Sequence, residues 1–141
     1  MSGILLVRDV MTTNVKTVKP FSTVRDVVRK MNKFGIGSVL VVEEDRPVGI
    51  ITERDLLRRI VEPFLDPSVI KAKDIMSTQL VTTSGDVGVE EAARLMVRRK
   101  IKKLPVVEDE KLVGIVTSMD VMRANPKIVS LLEELLKTKR T

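Results

Sequence analysis

The sequence predicts a mixed α/β (α+β) fold in which two tandem β-α-β-β-α repeats pack as one pseudo-twofold module, followed by a C-terminal amphipathic helix. Three observations lead to this prediction. The sequence repeats itself at a fixed offset, both copies show the same order of strand and helix patterns, and an apolar stripe at helical spacing follows the second copy. One copy of about 55 residues would bury too little apolar surface to be stable alone, so the copies should pack sheet against sheet.

The repeat is visible when the sequence is aligned with itself. Asp9-Val10-Met11 returns as Asp74-Ile75-Met76, and the same offset places residues 48–52 on residues 113–117 without a gap. Between residues 7–58 and 72–123, 17 of the 52 aligned positions are identical. Unrelated sequences would share only about three or four, so the chain contains an internal duplication.

The sequence patterns of both copies predict the same series of secondary-structure elements. A short strand is followed by an amphipathic helix, which in the first copy begins after Ser22-Thr23 and ends at Gly35. Two β-branched runs around a polar turn then predict a hairpin, and a short helix follows. The predicted strands are 15–18, 38–43 and 48–51 in the first copy and 80–83, 104–108 and 112–116 in the second; the last helices are 55–61 and 120–124.

The predicted domain boundaries follow from these patterns: repeat 1 at 7–61, a linker at 62–71, repeat 2 at 72–124, and a C-terminal helix with a basic tail at 125–141. Asn125 can cap the last helix and Pro126 suits its first turn. Its apolar face is formed by Ile128, Leu131, Leu132, Leu135 and Leu136. This face can cover the chain's own core, or it can join a second subunit or a partner.

Composition excludes several classes of function. The chain has 43% hydrophobic and 31% charged residues, a balance typical of folded globular proteins, and it contains no cysteine and no histidine. Disulfides, thiolate metal sites and the usual proton shuttles are therefore excluded, and we predict neither a metal site nor enzymatic activity. No apolar run approaches the ~20 residues that span a bilayer, so we predict a cytoplasmic protein without membrane insertion.

The net charge of +6 is unevenly distributed. The densest basic run consists of Arg98, Arg99, Lys100, Lys102 and Lys103. A run of this kind is commonly a solvated face. It can also attract an anionic ligand such as a phosphate.

The motif with most chemical content ends the hairpin of each copy. Residues 49–55 read GIITERD and residues 114–120 read GIVTSMD. Thr followed three residues later by an acid is a helix-capping box, and capping alone explains both pairs. A strand leading into a helix N-terminus also offers free amides to phosphate, and the acid one turn later can accept hydrogen bonds from ribose hydroxyls. The spacing is compatible with both interpretations.

Taken together, these motifs resemble the cystathionine-β-synthase (CBS) domain. The resemblance rests on Asp9–Thr12 and Asp74–Ser77, on the Val-x-Thr and Leu-x-Thr strands ending at Thr17 and Thr82, on the two Gly-x-x-Thr-x-x-Asp motifs and on the run from Leu104 to Val107. It covers residues 7–124, with two complete sets of motifs in register. CBS domains occur as tandem pairs, which agrees with the duplication.

The resemblance implies a ligand and a site. CBS pairs bind AMP, ADP, ATP or S-adenosylmethionine in two clefts between their repeats and often regulate an enzyme or transporter. By this resemblance Asp55 and Asp120 would hold ribose, and Thr52 and Thr117 would hold phosphate. The complete implied nucleotide-binding set is Val15, Thr17, Ile36, Gly37, Ser38, Thr52, Arg54, Asp55, Leu80, Thr82, Ile101, Lys102, Lys103, Thr117, Met119 and Asp120. Met119 replaces Arg54 in the second copy and Leu40 replaces Pro105 in the first, so we expect unequal affinities.

Two other functions stay open at this stage. One is a ligand-free structural module for dimerisation, in which the Thr-x-x-Asp pairs act only as caps. The other is nucleic-acid binding through the basic run and the tail residues Lys137, Lys139 and Arg140, although the aromatic platforms for single strands are limited to Phe21, Phe34 and Phe64. The resemblance further implies a homodimer, and any regulated enzyme or transporter would be a separate chain.

Overall fold

The computed structural model describes residues 4–137, without the side chains of Glu134 and Leu136. The chain divides into two compact units. The first-copy unit is Lys16–Leu80, and the second-copy unit combines Met1–Val15 with Val81–Thr141. The mixed α/β class of the prediction is confirmed.

The elements follow the predicted order, except that a short helix opens each repeat and the first strand of the second copy is absent from the described residues. The helices are α1 Val7–Val10, α2 Val24–Phe34, α3 Glu53–Leu56, α4 Ala72–Ile75, α5 Val89–Arg99, α6 Ser118–Ala124 and α7 Val129–Lys137. The strands are β1 Thr17–Val18, β2 Ser38–Glu43, β3 Arg46–Thr52, β4 Lys103–Glu108 and β5 Lys111–Thr117. A π-helical turn, Leu57–Val61, continues α3, and a 3-10 turn, Pro126–Ile128, precedes α7.

The first-copy unit contains a three-stranded sheet in the order β1-β2-β3. β1 runs parallel to β2, with Thr17 opposite Leu40, and β2 and β3 form an antiparallel hairpin. The hairpin pairs Ser38 with Thr52 at its open end and Glu43 with Arg46 at its turn. This register places the end of the Gly-x-x-Thr motif beside the start of β2.

The predicted first strands are only partly present. The strand predicted at 15–18 shortens to β1, and the strand predicted at 80–83 is wrong, since it reduces to a single parallel bridge between Thr83 and Val106. Proline explains the difference between the copies. The position equivalent to Leu40 is Pro105, which has no N–H to donate and cannot extend the parallel ladder by another pair.

The boundaries of the compact units differ from those of the sequence repeats, because the opening segment of each repeat packs in the other unit. Ser77 pairs with Ile50 beside β3, and Thr12 pairs with Ile115 beside β5. Both pairings carry reciprocal backbone hydrogen bonds of 2.9–3.0 Å. The Asp-x-Met opening motif of one repeat therefore completes the sheet that carries the other repeat's Gly-x-x-Thr motif.

The predicted linker at 62–71 is tied to the first-copy unit. The carbonyls of Pro67 and Ile70 each accept a hydrogen bond of 2.9 Å from the first N–H groups of α2, at Arg25 and Val24. The Thr23 hydroxyl caps the same helix by accepting from the Asp26 N–H over 3.1 Å. These bonds satisfy N–H groups that a helix start otherwise leaves free.

Two predicted boundaries are corrected by the structure. The hairpin turn consists of Glu44 and Asp45, both at positive φ, and β3 already begins at Arg46, so the predicted turn at 44–47 is too long. A two-residue turn of this hand matches the twist of the flanking strands. The helix predicted at 55–61 begins at Glu53, directly after its cap Thr52.

The C-terminal helix covers the chain's own core. Asn125 caps the 3-10 turn by accepting from the Lys127 N–H over 3.1 Å, as predicted. Ile128, Leu132 and Leu135 are buried in the second-copy core, and α7 packs against α5. For these three side chains, the apolar face therefore covers the chain's own core and does not join a second subunit or a partner. Leu136's side chain and the tail residues Lys139 and Arg140 lie outside what the structure describes.

Each unit has its own hydrophobic core. The first-copy core is formed by α2, the sheet and α4, with Val27, Val41 and Ile51 fully buried. The second-copy core is formed by α5, β4, β5 and the last helices, with Met96, Leu104 and Val116 fully buried. Within residues 4–137, none of the helices is both long and apolar enough to cross a lipid bilayer.

Candidate functional site

Each copy carries its Thr-x-x-Asp pair at the start of a short helix. The Asp55 N–H donates to Thr52 Oγ1 over 3.2 Å, and the Thr52 N–H donates to Asp55 Oδ2 over 2.9 Å. Asp120 and Thr117 form the same two bonds, at 3.1 and 2.9 Å. Both pairs are therefore capping boxes, and the capping interpretation of the motif is confirmed.

Capping leaves one carboxylate oxygen of each aspartate for other partners. The bonds of both capping boxes go to Oδ2. Oδ1 of Asp120 lies 3.9 Å from Nη2 of Arg123, whose side chain is 73% exposed, and such a surface pair is weak. A carboxylate can accept on both oxygens. Capping and binding of ribose hydroxyls are therefore compatible at the same residue.

The structure brings two predicted segments together at the open end of each hairpin. In the first copy Ser38 lies opposite Thr52, and the Glu53 N–H donates to the Gly37 carbonyl over 3.1 Å. In the second copy Lys103 lies opposite Thr117, and the Ser118 N–H donates to the Lys102 carbonyl over 2.9 Å. We call residues 36–38 with 52–55 the first-copy site, and residues 101–103 with 117–120 the second-copy site.

The helical segments that begin at these sites are short. α3 and its π-helical continuation together span nine residues, 53–61, and α6 spans seven, so each provides only a modest dipole at its N-terminus. Phosphate recognition would have to come mainly from hydroxyl and cationic side chains. This weakens the expectation that the helix N-terminus alone provides a phosphate site.

The predicted first-strand residues divide between the units. Thr17 lies in β1 opposite Leu40, in the same unit as the first-copy site. Thr82 lies in the same unit as the second-copy site, next to the bridge at Thr83. Val15 lies in the other unit from Thr17, and Leu80 lies in the other unit from Thr82. Each unit therefore combines the threonine of one repeat with the apolar residue of the other repeat.

A surface groove recurs at equivalent positions of both copies. In the first-copy unit it has a volume of about 560 Å³ and is lined by Thr17, Asp26, Lys30 and the turn residue Asp45. In the second-copy unit the corresponding groove of about 240 Å³ is lined by Thr82, Glu91 and Arg98. Asp45 lies in the hairpin turn, and Thr52 lies at the other end of the hairpin. This groove is therefore separate from the first-copy site.

The two sites differ in charge. Arg54 is exposed in the first-copy site, and Met119 is 56% exposed at the equivalent position. Sequence reasoning missed Glu53: its Oε1 lies 2.9 Å from the position that a β-carbon on Gly37 would take. The signal that could have identified Glu53 was its position in the sequence, between two residues already assigned to the site, Thr52 and Arg54. Its equivalent, Ser118, is buried and uncharged.

Metal-binding side chains are not clustered in the described part of the chain. No group of three or more Asp and Glu residues that could hold a metal ion occurs between residues 4 and 137. The chain supplies neither histidine nor cysteine. The sites therefore depend on hydroxyls, carboxylates, ammonium groups and backbone.

Comparison with known proteins identifies the family. A sequence profile described as the CBS domain matches residues 7–62 and 72–127. The chain belongs to the CBS domain family. The two matched segments correspond to the two predicted repeats, so the resemblance seen in the motifs is confirmed.

Relatives in archaea and bacteria match most of the chain. An uncharacterized protein of Methanopyrus kandleri is 43% identical over 133 residues, which cover 93% of this chain and 68% of the relative. The CBS domain-containing protein YhcV of Bacillus subtilis is 35% identical over 114 residues, covering 81% of each protein.

Solved CBS structures share the fold. A conserved CBS domain protein of unknown function from Thermoplasma acidophilum superimposes with a TM-score of 0.83 at 26% identity, covering 99% of this chain and 78% of its own. A hexameric CBS-CP12 protein from bloom-forming cyanobacteria has a TM-score of 0.75 at 28% identity, covering 91% and 71%. CBS pair proteins are regulatory modules, and this chain belongs to that family.

Proposed function

We propose that this CBS pair is a regulatory sensor that binds an adenosine nucleotide, AMP, ADP or ATP, and catalyses no reaction. The observation that supports this most is the recurrence of one constellation in both copies. At the open end of each hairpin lies an aspartate whose Oδ2 takes part in the capping box and whose Oδ1 can accept further hydrogen bonds. This aspartate lies beside the segment implied for the base. Capping alone does not require that neighbouring segment.

The roles proposed for the residues follow from their chemistry. Oδ1 of Asp55 and Asp120 would accept hydrogen bonds from ribose hydroxyls, and bonds to an ionised acceptor are among the strong ones. Thr52 and Thr117, with Arg54 in the first copy, would contact phosphate. Residues 36–38 and 101–103 would line the base, and Thr17 and Thr82 would meet its edge through their backbone. Val15, Leu80 and Met119 would complete the apolar surroundings.

The regulated target is proposed to be an enzyme or a transporter. A module that binds a nucleotide without transforming it acts through a difference in affinity between two states of its target. We further propose that the chain acts in the cytoplasm. S-adenosylmethionine is the alternative small ligand, because it shares the adenosine group but lacks phosphate.

The proposal is tested by the melting temperature of the chain with AMP, ADP, ATP or S-adenosylmethionine. A ligand that binds only the folded state at a hundred times its dissociation constant adds about 2.7 kcal/mol of stability. For a domain of this size we expect a rise of several degrees, about 5–10 °C, with at least one phosphorylated ligand. Guanosine monophosphate is the control for the base. No rise with any adenosine ligand would contradict the proposal.

A second candidate function, a ligand-free module for self-association, is supported by different observations. Both capping boxes are complete without a ligand. The first-copy unit also exposes large apolar side chains along one stretch, with Leu57 60%, Val61 61% and Phe64 93% exposed. Exposed apolar side chains of this size are typical of interaction surfaces. The hexameric CBS-CP12 protein, a structural neighbour, supports self-association as a candidate function of this architecture.

Light scattering separates the two candidates when it is combined with the melting experiment. We expect a homodimer at micromolar concentration, and Leu57→Ser with Val61→Ser should shift it towards the 15.8 kDa monomer. A dimer whose melting temperature no adenosine ligand changes would support the structural module. A monomer that binds nucleotide would support the sensor without self-association.

A further inference from the structure

We propose that the two sites take adenosine ligands of different charge: the second-copy site prefers a polyphosphate, ADP or ATP, and the first-copy site prefers a ligand with little or no phosphate charge, adenosine or AMP. This inference rests on the proposed function, because it divides the ligands of that function between the two copies. It is drawn from side chains that differ between otherwise equivalent positions of the duplication.

The first-copy site is unfavourable to a polyphosphate because of Glu53. Its carboxylate oxygen lies directly over Gly37, in the segment implied for the base, and its backbone N–H is bound to the Gly37 carbonyl. With Asp55, this site holds two acids against one base, Arg54; Glu53 and Arg54 are both exposed, whereas Asp55 is buried. Like charges within a few ångströms repel, so each added phosphate charge should weaken binding here.

The hydroxyl of the first-copy threonine is also engaged within its own capping box. Thr52 Oγ1 lies 3.1 Å from Asp55 Oδ2 and donates to it, in addition to accepting from the Asp55 N–H. A hydroxyl has one proton to donate. For Thr52 to donate to a phosphate, it would first have to give up its bond to the carboxylate.

The second-copy site has the opposite balance of charge, with more basic than acidic side chains. Lys102 and Lys103, both half-buried, replace Gly37 and Ser38, and the buried Ser118 replaces Glu53. This site therefore holds two bases against one acid, Asp120. Half-buried ammonium groups are screened less by salt than fully exposed ones, so they favour anions more strongly. The exposed run Arg98, Arg99 and Lys100 ends immediately before this site and adds charge of the same sign.

The experiment isolates each site with one aspartate variant. Asp55→Asn leaves the second-copy site intact, and Asp120→Asn leaves the first-copy site intact. Calorimetric titration of both with adenosine, AMP and ATP gives a ratio of ATP to adenosine affinity for each site. We expect ATP to bind about tenfold or more tighter than adenosine to Asp55→Asn, and no tighter than adenosine to Asp120→Asn.

Charge variants then test the residues named. Lys102→Gln in the Asp55→Asn background should reduce the ratio of ATP to adenosine affinity severalfold, because it weakens ATP more than adenosine. Glu53→Ser in the Asp120→Asn background should raise the ratio of ATP to adenosine affinity, because it strengthens ATP more than adenosine. Arg94→Gln is the matched control, since Arg94 is an exposed base outside both sites that pairs with Glu90. The differences for ATP should shrink as salt is raised.

The possible outcomes distinguish this inference from the function on which it rests. Equal ATP to adenosine ratios in both aspartate variants, or no effect of Lys102→Gln and Glu53→Ser, would overturn the charge difference while nucleotide binding stands. Absence of binding by adenosine, AMP and ATP to the unaltered chain would overturn both. A circular dichroism melt of every variant identifies any that is unfolded; Lys102→Arg, which keeps the charge, should then retain the ATP preference.

Discussion

Met11 and Gly114 are in direct contact: Sδ of Met11 lies 2.6 Å from the position that a β-carbon on Gly114 would take. Met76 packs against Gly49 in the same way in the other unit. The methionine of each opening motif thus occupies the space left by the glycine of a Gly-x-x-Thr motif. This contact explains why two motifs far apart in the sequence occur together.

The first prediction concerns this contact. Gly114→Ala and Gly49→Ala should each lower the free energy of unfolding by about 1–3 kcal/mol, because the added methyl group overlaps a methionine side chain. In urea titrations, Gly114→Ala should lower the free energy of unfolding by less in a Met11→Ala background than in the unaltered chain. Gly88→Ser is the control, since its β-carbon would meet the nearest atom only at 3.9 Å, its φ is −70° and serine is favoured at a helix N-cap. Equal losses with and without Met11 would show that the contact is not the cause.

The parts of the fold that depend on local sequence patterns were predictable, and those that depend on contacts between distant segments were not. The hairpins, α2, α5 and α7 were predictable because apolar periodicity and caps such as Thr23 and Asn125 are local signals. The exchange of opening segments was not, since an internal repeat does not record which copy each segment packs against. Contacts such as Met11 with Gly114 become visible only in three dimensions.

The candidate site was predicted in part for the same reason. The Thr-x-x-Asp pairs and their proximity to residues 36–38 and 101–103 follow from the hairpin register, which the sequence indicated. The missing strand at 80–83 could have been anticipated from Pro105, whose lack of an N–H interrupts the ladder. The position of the Glu53 carboxylate over Gly37 could not, because side-chain orientation has no sequence pattern.

The second prediction concerns the end of α5. Lys100 adopts a left-handed conformation with φ 57°, whereas its equivalent at the end of α2 is Gly35 with φ 62°. Lys100→Gly should therefore raise the free energy of unfolding by about 1 kcal/mol, since glycine carries no steric penalty there. Lys100→Ala removes the charge but keeps the β-carbon, so it should bring no such gain. If alanine stabilises as much as glycine, relief of charge repulsion is the cause instead.

The third prediction concerns the capping threonines. Thr52→Val and Thr117→Val should each cost about 0.5–2 kcal/mol of stability without nucleotide, because each removes the hydroxyl that accepts an aspartate N–H. Thr52→Ser and Thr117→Ser keep the hydroxyl and should cost clearly less. Thermal melts of the four variants provide the comparison. A larger loss for serine than for valine would indicate that packing of the methyl group, and not the cap, determines the effect.

The fourth prediction addresses the central claim, that Asp55 and Asp120 hold the ribose of a nucleotide as well as capping their helices. Asparagine at either position keeps an acceptor oxygen for the cap, so stability should change little. It removes the ionised acceptor for ribose hydroxyls, whose bonds are worth about 1.5–3 kcal/mol, so affinity at that site should fall roughly ten- to a hundredfold. Asp66→Asn is the control, since Asp66 is an exposed acid bonded to Ser68 outside both sites.

The most direct measurement is a calorimetric titration of the unaltered chain, Asp55→Asn, Asp120→Asn and the double variant with AMP and with ATP, beside their melting temperatures. We expect each single variant to lose one binding event, and the double variant to lose both while melting close to the unaltered chain. A double variant that binds AMP and ATP as tightly as the unaltered chain would show that the aspartates are caps only, and would contradict the account.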